Sequence, residues 1–111
     1  MTLSPTGPDA VRRLERLADR LRVVGPRLAG RQGPEAAELL RQIRAGLQEL
    51  ADRAADADGR PRRAVPELTG SALADQALVL GHDLLRPSGQ ECSDTARIEA
   101  VEAIQRIYRL I

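Results

Sequence analysis

Residues 34–57 read PEAAELLRQIRAGLQELADRAADA, and within them Ala36, Leu40, Ile43, Leu47, Leu50 and Ala54 fall three and four positions apart. That spacing returns each apolar side chain to one face of a helix with 3.6 residues per turn. Pro34 suits the first helical position, where the amide has no partner to lose, and Gly59 suits the stop. The longest helix of the chain is therefore expected over residues 34–57. Before it, Val11, Leu14, Ala18 and Leu21 repeat the spacing, with Leu17 and Val24 widening the stripe. Gly25 followed by Pro26 is expected to end that helix, giving residues 9–24. After it, Arg60 to Pro66 carries two prolines and no periodicity, and so reads as a connector.

The third block holds Leu73, Ala74, Ala77, Leu78, Leu80, Gly81, Leu84 and Leu85. A helix is expected over 67–86, with its start open between Pro66 and Ser71 and its end closed by Pro87, Ser88 and Gly89. The fourth is expected over 94–110, capped by Ser93 or Asp94. No stretch shows the alternation of a strand. Residues 1–111 thus read as a single all-α domain, an up-down-up-down antiparallel four-helix bundle. Gly46 and Gly81 either mark close helix approach or are tolerated at about 1 kcal/mol each.

Composition narrows the chemistry. The 111 residues include 17 arginines, no lysine, 16 acids, one His, one Cys and one Tyr, with net charge +1 and no Phe or Trp. The core must be aliphatic. One His and one Cys cannot make a structural zinc site, and a lone thiol closes no internal disulfide. No metal and no cofactor is expected, nor a phosphate loop or nucleophile elbow. Near neutrality removes a broad electrostatic drive toward nucleic acid. No apolar run approaches the roughly 20 residues of a membrane span, and the first ten residues lack a signal-peptide core. With a free Cys92, a cytoplasmic protein is expected, and the all-arginine basic set fits a GC-rich bacterial coding sequence.

The fourth block raises a question of covering. Ile98, Val101, Ile104, Ile107, Tyr108, Leu110 and Ile111 spread over roughly 240° at about 100° per residue, wider than one buried side needs. A second apolar contact is implied. The chain is therefore expected to be a non-catalytic protein-protein interaction module, an adaptor or regulator, pairing with itself as a homodimer or with another protein. Val79, Ile107, Leu110 and Ile111 are the expected contact residues.

Two short stretches carry alternatives. His82, Asp83, Leu84 and Pro87 resemble the phosphoacceptor box of sensor histidine kinases, although Leu85 and Arg86 depart from its usual basic and small polar positions. A histidine-phosphotransfer domain is likewise a four-helix bundle. The resemblance implies His82 as phosphoacceptor; beside it Asp83 or Asp75 is placed to bias the imidazole tautomer and Arg86, one turn on, to neutralise phosphoryl charge. Gly59-Arg60-Pro61-Arg62-Arg63 resembles the centre of an AT-hook, which implies weak nucleic-acid binding through Arg60, Arg62 and Arg63. Asp58 stands before the glycine where that family has a basic residue, Asp56 is close behind it, and their charge opposes the phosphate backbone. Residues 1–63 hold 13 arginines and 9 acids, while residues 64–111 hold 4 and 7. The basic half, with Arg12, Arg13, Arg16, Arg20 and Arg22 crowded on one helix, either steers toward an acidic partner or is a solvated face of local ion pairs.

Overall fold

The computed structural model describes residues 5–86 and 92–111. Four helices, α1 (Gly7–Gly30), α2 (Pro34–Asp58), α3 (Leu73–Leu85) and α4 (Asp94–Leu110), form an all-α bundle. A 3-10 turn at Gly70–Ala72 leads into α3, and no strand occurs among the described residues.

Local chemistry sets most of the ends. Thr6 caps α1 by accepting the Asp9 amide at 3.1 Å, while Asp9 accepts the Thr6 amide at 3.3 Å, a reciprocal capping box. Gly59, at φ +66°, closes α2: its amide bonds the Asp56 carbonyl at 3.2 Å and Arg60 the Ala55 carbonyl at 2.8 Å, a Schellman motif. Ser93 caps α4 by accepting the Ala96 amide at 3.2 Å. The expected spans of the second and fourth helices hold to within a residue.

Two expected ends move. The first helix does not stop at residue 24 but runs through Pro26 to Gly30. Gly25 is buried and helical rather than left-handed, and Pro26 lies on the exposed side, where water reaches the carbonyl that loses its donor. The extra turn carries Leu28 into the core, 6 % exposed. The third helix begins at Leu73 rather than residue 67: the Leu68 amide turns back onto the Pro66 carbonyl at 3.1 Å, and the Pro66 and Leu68 carbonyls accept Gln76 Nε2 at 2.8 Å and an Arg44 guanidinium N–H at 2.7 Å instead of helical amides. Pro87, Ser88 and Gly89 lie outside the described residues.

The senses of the helices follow from residue pairs. Arg97 donates to the Pro5 carbonyl at 2.8 Å and Arg20 to the Ile111 carbonyl at 3.0 and 2.8 Å, so α1 and α4 run the same way. Leu14 packs on Gly81 and Gly25 on Gly70, so α3 runs opposite to α1. Gly46 meets Ile107 while Arg53 pairs with Glu99 at 3.1 Å, so α2 opposes α4. Hence the expected alternation holds at the first and third connections, whereas α2 and α3 run the same way. The physical reason is the length of the middle connector: residues 59–69, extended at about 3.3 Å each, suffice to run back along the bundle. Around the bundle, α1 and α2 each pack on α3 and α4 and barely touch one another.

The core is Leu14, Leu17 and Leu21 of α1, Ile43, Leu47 and Leu50 of α2, Leu73 of α3, and Ile104 and Ile107 of α4. With no large ring to fill space, helices approach over small residues. A Cβ on Gly46 would overlap Ile107, and one on Gly81 would overlap Leu14. The closest approach is backbone on backbone: a Cβ on Gly25 would strike the Gly70 carbonyl, and one on Gly70 the Gly25 carbonyl. The backbone there has no flexible end to move aside. Gly25→Ala is therefore expected to lower the unfolding free energy in urea by about 3 kcal/mol. Gly30→Ala, in the same helix with nothing within 4 Å of its Cβ, should leave it unchanged or raise it by up to about 1 kcal/mol. Equal midpoints for the two variants would contradict the backbone contact.

Candidate partner-binding groove

The connector does not hang free. As it runs back along α2, Gln48 grips it with both ends of its amide, accepting the Val65 N–H at 2.8 Å and donating to the Arg63 carbonyl at 2.9 Å. Arg62 closes a two-pronged ion pair on Asp56, at 3.0 and 2.7 Å, and approaches Asp52 at 4.0 Å. Arg60 donates to Asp58 at 3.1 Å. Fixed in this way, the connector stands beside α2 and leaves a groove of about 520 Å³ between α2, itself and α3.

Ala51, Ala54 and Ala55 of α2 line the groove on one side, their methyl groups too short to fill it. Pro61, Val65 and Leu68 form the connector wall, and Ala72, Val79 and Leu80 the α3 wall. Val79 is 62 % exposed and Leu68 46 %, the cost of apolar surface left in water. Charge is divided across the groove: Arg60 and Arg63 belong to the connector, Asp75 and Asp83 to α3. Arg63, Asp75 and Asp83 have no ion-pair partner among the described residues.

Of the expected contact residues, only Val79 is on open surface. Ile107 is 1 % exposed and packs on Gly46 inside the chain. Leu110 and Ile111 are half-buried against the same core, and the Ile111 carbonyl is held by Arg20. The wide apolar arc of α4 does require two contacts, but α1 and α2 of its own chain supply both. Ile107 is thus corrected from a contact residue to a core residue, while Leu110 and Ile111 keep part of their surface open.

The other sequence candidates are dispersed. His82 is exposed on α3, Asp83 lines the groove, and Arg86 lines a different hollow beside Gly7, Pro8, Val11 and Arg97. Arg60 and Arg62 spend their guanidinium donors on Asp58 and Asp56, the carboxylates that the AT-hook pattern lacks. Sequence reasoning singled out Val79, Arg60, Arg63 and Asp83 for three unrelated reasons, and the crossover brings them to one place. It missed the alanine floor and Gln48, whose only signal was a polar residue midway along α2. Among the described residues, no three His, Cys, Asp or Glu side chains gather as metal ligands, and no helix is long and apolar enough to cross a membrane.

The Arg62 guanidinium holds the Asp56 carboxyl below its ordinary value of 3.8, mainly by hydrogen bonding, with slight burial opposing. The sign follows: the latch contributes at pH above the ordinary carboxylate range and is lost as pH falls through the depressed value. A ¹³C titration of the Asp56 carboxyl should give a midpoint below 3.8, returning toward it in Arg62→Gln; a wild-type midpoint at or above 3.8 would mean that the latch does not form in solution. Comparison with protein-family models, curated proteins and solved structures gives no match.

Proposed function

We propose that the chain is a non-catalytic helical interaction module that pairs with a second copy of itself through the groove between α2, the connector and α3. The observation that carries this reading is the divided charge beside exposed Val79 and Leu68. A two-fold axis laid along the groove exchanges its two sides. The Arg63 side of one copy then meets the Asp75 and Asp83 side of the other, with the apolar walls between them. A partner of a single sign would leave one pair of like charges opposed, whereas a second copy satisfies both. Burying Val79 alone contributes about 1.5 kcal/mol per copy. Nucleic acid suits this surface poorly, since Arg60 and Arg62 already hold carboxylates. The half-buried lone Cys92 fits a reducing cytoplasm as the place of work.

Sedimentation across a concentration series tests the reading. The mass should rise from 12.1 kDa toward twice that value. Val79→Asp should shift the transition to about tenfold higher concentration without changing the helical signal, because Val79 supports no part of the core. A wild-type chain that stays at 12.1 kDa up to about millimolar concentration, or a Val79→Asp variant that associates equally well, would overturn it.

A further inference from the structure

A second hollow, of about 230 Å³, lies between α1 and α4 on a different part of the surface from the groove. Arg13 and Arg16 line it from α1, and Gln105, Tyr108 and Arg109 from α4, with Ile104 between them. Because the two helices run in the same sense as neighbours, residues spaced three apart on α1 face residues spaced three and four apart on α4. Three arginines line the hollow, and no Asp or Glu does.

Four acids of these helices pair away from the hollow, Glu99 with Arg53 of α2 among them. Asp9 pairs with Arg12, Asp19 with Arg22 at 2.6 Å, and Asp94 with Arg97. Glu15 and Glu102 lie outside the hollow. Arg13, Arg16 and Arg109 have no ion-pair partner among the described residues. Three like charges crowded around one small volume repel one another, and a bound anion relieves that repulsion. A monocarboxylate offers two oxygens and one charge, enough for one guanidinium fork. A phosphoryl group offers three peripheral oxygens and close to two charges, which matches several forks at once. The Gln105 amide and Tyr108 hydroxyl add neutral donors, and the exposed Tyr108 ring, 46 % accessible, is a wall for an attached apolar or planar body.

We propose that Arg13, Arg16 and Arg109, with Tyr108, form a binding site for a phosphoryl anion. Tyr108 is the one aromatic residue of the chain, so its emission reports on this hollow alone. Tyrosine fluorescence is titrated with inorganic pyrophosphate, sodium chloride holding ionic strength constant. A saturable change at one equivalent per chain is expected, with about tenfold weaker binding in Arg13→Ala and in Arg16→Ala. Arg12→Ala, one position away but engaged by Asp9, should titrate as the wild type does. Far-UV circular dichroism checks that each variant is folded, and phosphorus NMR line broadening reads the same binding without the tyrosine. A linear or absent response overturns the proposal, as does an unchanged titration in the Arg13→Ala, Arg16→Ala double variant. Saturation by hexaglutamate but not by pyrophosphate would also overturn it, assigning the arginines to an acidic peptide.

Discussion

The contact between the backbones of Gly25 and Gly70 governs the distance between α1 and the start of α3, and much of the rest follows from it. A chain with one aromatic ring has few large side chains to span wide gaps, so its helices must come close. At Gly25 and Gly70 each Cα hydrogen is directed at the other residue's carbonyl, a geometry in which weak C–H···O contacts supplement dispersion. Holding that contact requires α1 to remain helical past Pro26, which in turn delivers Leu28 to the core. It also holds Gly70 at the head of α3, so the connector must end there.

That end point makes the connector a return path rather than a turn. Since α2 and α3 run the same way, residues 59–69 travel back along α2, and their extended backbone must find polar partners on it. Gln48 and Arg44 supply them from α2, Gln76 adds one from α3, and Arg62 with Asp56 latches the near end. A connector that crosses over a helix cannot also fill the space beside it. The groove is the residual volume, floored by the alanines of α2 and walled by the connector and by the helix that the connector leads into.

Electrostatics divides the surface into places where charge is spent and places where it is held in reserve. Arg53 pairs with both Glu49 and Glu99 at 3.1 Å, tying α2 to α4, and Arg106 joins Glu49 from α4. Exposed pairs of this kind add little to stability individually, but they consume charge that would otherwise attract partners. Around the groove Arg63, Asp75 and Asp83, and around Tyr108 the three arginines, are in no ion pair among the described residues. Arg13, Arg16 and Arg63 of the basic first half are among those left without an ion pair, which the crowding of arginines along the sequence does not disclose.

The periodicity of residues 34–57 and 94–110, the caps at Gly59 and Ser93, and the aliphatic character of the core were all legible from the chain alone, because each depends on residues within about one turn of one another. The same local logic misplaced the end of α1 at Gly25, where the glycine serves a distant backbone rather than a cap. It also assigned Ile107 to the surface, since an apolar arc reveals how much must be covered but not by what. Tertiary structure alone decided that α1 and α2 together cover α4, that α2 and α3 share a direction, and that Val79, Arg63 and Asp83 border one groove. Those outcomes rest on contacts between residues tens of positions apart, whose pairing is chosen by the packing of the whole core and leaves no spacing in the sequence to read.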